Sequence, residues 1–280
     1  MKKCSFIQIS ASLLSLLSVQ CLPATTTTTS GTPGHGKDVS EGKSSTVQTM
    51  GILSESNCQG SQMVWDKASQ PNPWQKLSLA QNLNLYQNVW QSDKVSAGGK
   101  SQITCSKFNG ASLSWSNTFA FPCAPQDKNQ VKTYANAAWA GKPIQLTAVQ
   151  SFKSSWNWTL TQASPDLVMD VSYDIFLTTQ IWPAAVGGAK PSGTLAGVLK
   201  VGTYEFEVWQ GTVNVPVISL IPSNPQTRYT GFQADLKAIL LQLQAYGLSK
   251  DEFVLSVGAG IEVFTGSGKF DTSSYTIDLF

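Results

Sequence analysis

The feature that most limits what this chain can fold into is alternation. Leu167, Met169, Val171, Tyr173 and Ile175 take turns with Val168, Asp170, Ser172 and Asp174. One side of that segment is apolar and the other largely polar, which is the period of a half-buried strand. Tyr204, Phe206 and Val208 alternate with Glu205, Glu207 and Trp209. Leu255, Val257, Ala259, Ile261 and Val263 alternate with Ser256, Gly258, Gly260 and Glu262. Gly, Pro, Asn and Ser separate the segments, and short strands so punctuated predict a β-sandwich or jelly roll. Helical spacing is clear in one place only, where Leu236, Ile239, Leu240 and Leu243 stand at i, i+3, i+4 and i+7 with Gly247 as the stop. No internal repeat is evident.

The first residues are of another kind. Lys2 and Lys3 precede a mostly apolar, uncharged run from Phe6 to Leu22, and Ala24 offers a small residue for cleavage. This reads as a secretory signal over 1–24, too short and too rich in Ser and Gln for a membrane span. Residues 25–56, rich in Thr, Ser and Gly, read as a linker that buries no core. The expected folded domain is 57–280. The expected protein is secreted, with no membrane partner, and a monomer.

Composition then narrows the chemistry. The chain has one histidine, His35, and it lies in the linker. A domain without histidine has no Ser-His-Asp or Cys-His nucleophile and no His-ligated zinc. No compact Asp/Asn cluster with metal-ligand spacing is visible either, so no metal and no cofactor is expected. From residue 57 on, 15 bases face 14 acids, which gives no basic stripe for nucleic acid. Acid–base work near neutral pH falls to carboxylates. Of the five cysteines, Cys58, Cys105 and Cys123 lie beyond the signal. An odd number in an oxidising compartment suggests one disulfide and one spare thiol; Cys58–Cys105 is the favoured pair, which sequence alone does not fix. Asn157-Trp158-Thr159 is a glycosylation sequon.

Only four glutamates follow residue 56: Glu205, Glu207, Glu252 and Glu262. Glu252, beside Asp251, reads as a solvated turn residue. Glu262 shares a strand face with Ser256, Gly258 and Gly260, a face stripped of bulk. That pattern serves equally a backbone against which a ligand lies and a glycine-rich bend with a solvated glutamate. Asp174 shares its face with Asp170 and Ser172, either as a hydrated exterior or as a carboxylate cluster whose members push one another's pKa apart. Nine tryptophans favour sugar, because indoles stack on the flat C–H faces of pyranose rings.

Several segments resemble glycoside hydrolase family 12, the secreted endo-β-1,4-glucanases and xyloglucanases. Gly258-Ala259-Gly260-Ile261-Glu262-Val263-Phe264-Thr265-Gly266 looks like the family's G-T-E-P-F-T-G segment. Val171-Ser172-Tyr173-Asp174-Ile175-Phe176 is similar to V-A-Y-D-L-F, Asn88-Val89-Trp90 to N-N-L-W, and Val131-Lys132-Thr133-Tyr134-Ala135-Asn136 to V-K-S-Y-x-N. The resemblance spans about residues 57–280. It implies a concanavalin A-like jelly roll of two antiparallel sheets with one amphipathic helix, and an open cleft for a β-1,4-glucan or xyloglucan chain. It also implies retaining hydrolysis by two carboxylates. Glu262 matches the acid/base, Asp174 the aspartate that supports the nucleophile, Asn88, Trp90 and Trp182 the substrate-binding positions, and Cys58 with Cys105 a frequent disulfide.

One element of the pattern is missing. The family's nucleophile lies in a Y-E-L-M-I-W-L strand. Tyr204-Glu205-Phe206-Glu207 imitates it, but Ile181-Trp182-Pro183-Ala184-Ala185-Val186-Gly187-Gly188-Ala189 fits the continuation I-W-L-A-A-L-G-G-A better. In that register Thr178 fills the nucleophile's slot, and the chain is short by about a dozen residues between Phe176 and Ile181, a turn plus half a strand. The four residues left contain no Gly, Asn, Asp or Pro for a tight reversal, so a local disturbance of the sheet is expected. Three accounts follow: an incomplete sequence of an active enzyme, a glucan-binding pseudoenzyme or decoy, or rescue by another carboxylate, of which Glu205 is the nearest lookalike.

Overall fold

The computed structural model describes residues 58–175 and 178–280; the expected signal and linker lie outside the described residues. The strands are β1 (Gln62–Asp66), β2 (Lys76–Ala80), β3 (Leu83–Tyr86), β4 (Lys100–Phe108), β5 (Leu113–Phe121), β6 (Thr133–Trp139), β7 (Ile144–Gln145) and β8 (Phe152–Thr161). They continue with β9 (Val168–Ile175), β10 (Thr179–Val186), β11 (Thr194–Val201), β12 (Tyr204–Val213), β13 (Val215–Pro222), β14 (Gly231–Asp235), β15 (Phe253–Val254) and β16 (Val257–Leu279). The helix α1 (Leu236–Gln242) buries Leu236, Ile239 and Leu240. Asp235 caps it by accepting the Lys237 amide at 3.0 Å. A 3-10 turn over Leu243–Tyr246 extends it to Gly247, whose φ of 91° supplies the left-handed stop.

Two layers form the jelly roll. The back sheet runs β1-β4-β5-β16-β8-β14. The front sheet runs β2-β3-β6-β16-β9-β10-β13-β12-β11. β16 belongs to both: Val257–Val263 pairs with β6 on one side and β9 on the other, and from Gly266 onward it pairs with β5. Gly266 makes the passage between layers, with φ at 95° and a Cα so near Leu167 that a Cβ would lie 2.5 Å from the Leu167 Cα. The core between the layers is aromatic. Trp156 of the back sheet meets Tyr173 of the front sheet edge-on at 5.2 Å, and Phe270 at 6.0 Å. Cys58 and Cys105 are bonded at 2.08 Å and pin the start of the domain to β4, while Cys123 is a free thiol whose Sγ donates to the Phe264 carbonyl at 3.9 Å.

The sheets are antiparallel except where β10 runs parallel to β13 over Thr179–Ile181. The short connection before β10 leaves the ladder intact: Ile175 and Thr179 are direct partners, so the chain reverses between them. The disturbance expected there takes the form of local strain. Thr178 has φ at 80°, a left-handed conformation that a β-branched residue seldom adopts, and its carbonyl accepts the Ile218 amide at 2.9 Å. The ladder's one irregularity lies farther on, between Ile181 and Ala184, where Pro183 has no N–H to give.

Candidate active site

On the front sheet, register decides which side chains meet. Glu262 of β16 lies opposite Asp170 of β9 on one side and Tyr134 of β6 on the other. Gly260 lies opposite Ser172, Gly258 opposite Asp174, and Asp174 in turn opposite Gln180 of β10. Direct partners share a face, so Tyr134, Glu262, Asp170, Asp174 and Gln180 all project from the side of the sheet away from the core.

The glycines of β16 do not leave open space for a ligand, as one reading of the sequence had it. Tyr134 reaches across β16 so closely that a Cβ on Gly258 would lie 2.9 Å from the tyrosine hydroxyl. That hydroxyl donates to the Ser172 carbonyl at 3.3 Å and accepts the Asp174 amide at 3.2 Å. At Gly260 a Cβ would lie 2.1 Å from the Ala135 carbonyl oxygen. The missing side chains make room for a tyrosine and a neighbouring backbone, which together fix the strand segment carrying Asp174. Lys132 anchors the far end: its buried ammonium donates to the Phe264 carbonyl at 3.0 Å, two residues past Glu262.

Three carboxyl groups meet there with no cation among them. Asp170 is 0 % exposed and Glu262 5 %. Burial, and then the charge of Asp174, holds Asp170 well above the usual aspartate range. Ser172 and Glu262 temper that shift, although neither Asp170 oxygen meets full hydrogen-bond geometry. Burial, then the charges of Asp170 and Asp174, hold Glu262 well above the usual glutamate range. Asp174 is pushed up to about 7 by burial, against the pull of a hydrogen bond from Gln180. That bond, Gln180 Nε2 to Oδ1, is 3.2 Å long, and Ser219 Oγ donates to Gln180 Oε1 at 3.1 Å. Two buried carboxylates facing each other across a strand pair do not both ionise near neutrality. Asp170 and Glu262 therefore hold at least one proton between them.

A cavity of roughly 570 Å³ opens over this face, and Trp90, Asp174, Thr178, Gln180, Trp182 and Glu262 are part of its lining. The indole N–H groups of Trp90 and Trp182 are buried without a partner. Such groups call for an acceptor from a ligand or solvent. Asn88 is placed differently. It is a buried residue with φ at 44° that turns the chain toward Trp90, and its carbonyl accepts the Tyr134 amide at 3.0 Å. Glu205 is not brought to this cavity. It stands half-exposed on β12, paired with the Lys200 ammonium at 2.9 Å, while Glu207 accepts from the Trp209 indole at 2.9 Å. Asn157 of the sequon is exposed on β8 and donates to Ser274 Oγ at 2.9 Å.

Sequence reasoning left Asp170 and Gln180 out of its site and used Tyr134 only as part of a motif. The period of two puts Asp170 on the same face as Asp174, which was the available signal. What it faces across the sheet was not available.

The family model described as Glycosyl hydrolase family 12 matches residues 81–280, a span that includes every residue of this cavity. The chain belongs to glycosyl hydrolase family 12. A probable xyloglucan-specific endo-β-1,4-glucanase A of Aspergillus clavatus is 31% identical to this family 12 chain over 214 residues, 71% of the chain and 86% of the relative. Trichoderma harzianum endoglucanase 3 superposes on the family 12 fold with a TM-score of 0.66 at 22% identity, covering 78% of this chain and 98% of its own. The family 12 xyloglucanase of Bacillus licheniformis gives 0.65 at 21% identity, covering 79% and 100%. No helix among the described residues is long and apolar enough to cross a membrane.

Proposed function

We propose that this family 12 protein is secreted and acts on β-1,4-glucan chains, xyloglucan first among them, with Glu262 donating a proton to the glycosidic oxygen and Asp174 working beside it. The observation that carries this reading is the cavity itself: among its lining residues Asp174 and Glu262 are the carboxyl groups, and Trp90 and Trp182 offer indoles with unpartnered N–H groups to a sugar chain. The xyloglucan preference is supported by the relatives' names. By the family resemblance a covalent nucleophile belongs where Thr178 stands, and a threonine there forms no glycosyl ester, so double displacement through that position is closed. One observation favours a second reading, a glucan-binding protein without turnover: no carboxyl group of β10 or β12 lines the cavity.

A reducing-end assay on xyloglucan and on unbranched mixed-linkage glucan, run beside calorimetric titration with xyloglucan oligosaccharides, tests both. Turnover lost in Glu262→Gln supports the hydrolase, and binding without turnover supports the second reading. Absence of binding sinks both. Reading the transcript across the codons for residues 176–181 checks the chain itself, because a recovered insert containing Tyr-Glu would restore the family's nucleophile.

A further inference from the structure

The chain contains a single Asn-x-Ser/Thr sequence, Asn157-Trp158-Thr159. It falls within β8 rather than in a loop, and tryptophans on both sides of the asparagine would suit a buried position. The strand period decides otherwise. Trp156 and Trp158 turn inward, where Trp156 meets Tyr173 edge-on and Trp158 stacks on Phe270 at 5.6 Å. Asn157 and Thr159 turn outward, and both are exposed.

The surface around the asparagine is also low. Its partner on β14 is Gly231, and its partner on β16 is Ser274. A Cβ at Gly231 would already lie 3.3 Å from Asn157 Oδ1, so the glycine keeps the amide clear on that side. On the other side the register of β16 shifts between Thr272 and Ser274, which leaves Ser273 outside the ladder. Ser273 Oγ donates to the Asn157 carbonyl at 3.3 Å. Small residues thus border the amide on both sides. Nδ2 carries two hydrogens. One is given to Ser274 Oγ at 2.9 Å, and a sugar carbon can replace the other without breaking that bond.

We propose that Asn157 carries an N-linked glycan on the outer face of the back sheet. The transfer joins Asn157 Nδ2 to C1 of the first N-acetylglucosamine and breaks the C1–O bond to a lipid diphosphate. The lipid diphosphate leaves, and the amide proton passes to a base of the transferring enzyme. This happens on the extended chain as it enters the secretory route, so the inference rests on the secretion proposed above. In the folded protein the glycan covers Gly231, Ser273 and Ser274. It leaves the cavity of the front sheet open, since no residue of β8 or β14 lines that cavity.

The test produces the full chain in a yeast, collects it from the medium and treats it with peptide:N-glycosidase, which turns a glycosylated asparagine into aspartate. The intact mass should fall on treatment, and the peptide that contains residue 157 should then carry aspartate there. Asn157→Gln and Thr159→Ala should each be secreted without the glycan. Thr159→Ser keeps the hydroxyl and should keep the glycan. Equal Tm values for the parent and both bare variants, all measured after the enzyme treatment, would show that loss of the glycan does not come from misfolding. A bare Asn157 in the secreted parent overturns the inference and leaves secretion standing. A chain held inside the cells with residues 1–24 still attached removes the secretory reading, and the inference with it.

Discussion

Raising the pH on the ligand-free protein should cost it stability across a window where most proteins gain it. Asp170, Asp174 and Glu262 all have folded pKa values above their ordinary ones, first because they are buried and then, for Asp170 and Glu262, because they face other carboxylates. Between about pH 4 and 7 the native state holds protons that the unfolded chain has released. Unfolding free energy therefore falls as pH rises through that window, and the stabilisation is fullest near the unfolded values. Asp174 gives the scale: moving from 3.8 to about 7 is worth ~4 kcal/mol at 1.36 kcal/mol per unit. It is only partly buried and opens on the cavity, so solvent screening reduces this to about 2 kcal/mol. The ion pairs at Lys200–Glu205 and Lys269–Asp271 lie toward solvent and are too weak to mask the effect of the cluster. The cluster should win. Urea unfolding followed by tryptophan fluorescence at pH 4, 5, 6, 7 and 8, at constant ionic strength, should show a decline of about 2 kcal/mol or more. Asp170→Asn should flatten the decline, because it removes one member of the buried cluster. A profile that is flat or rises between pH 5 and 7 in the parent protein would refute the reasoning.

Three further outcomes are expected. Replacing Cys58 and Cys105 by serine releases a chain closure of 47 residues. That should cost about 4 kcal/mol and lower Tm by roughly 10 °C in calorimetry; a loss under 3 °C would contradict the closure argument. Thr178→Gly relieves a φ of 80° and should raise the unfolding free energy by about 0.5–1 kcal/mol, seen as a higher urea midpoint at unchanged m, whereas a lower midpoint would mean that the threonine side chain holds the reversal together. Trp90→Ala should weaken cellotetraose binding about tenfold, or ~1.4 kcal/mol, with little change in Tm because the indole is only partly buried; unaltered affinity removes Trp90 from the sugar site.

Much of the architecture was legible along the chain. The alternation through Val168–Ile175 and Val257–Val263 sorted core residues from cleft residues correctly, and the i, i+3, i+4, i+7 spacing with Gly247 at its end marked the helix, whose cap at Asp235 the structure added. The same alternation put Asp170 and Asp174 on one face and Glu262 on another segment's polar face. Where it stopped was the distance between strands. β9 and β16 are separated by about eighty residues of sequence, and no local preference sets how one slides along the other.

The sequence by itself therefore determined the class of fold, the shortage of acid–base groups and the family. These depend on residue identity and on order along the chain. Only the tertiary structure decided that Glu262 faces Asp170 rather than Asp174, and that the glycines beside it make a socket for Tyr134. It alone decided that Glu205 is tied to Lys200 away from the cavity, and that one strand, β16, serves both sheets. Each of these depends on register between distant strands. That register follows from packing the whole core at once, and it in turn sets which carboxyl groups share a proton.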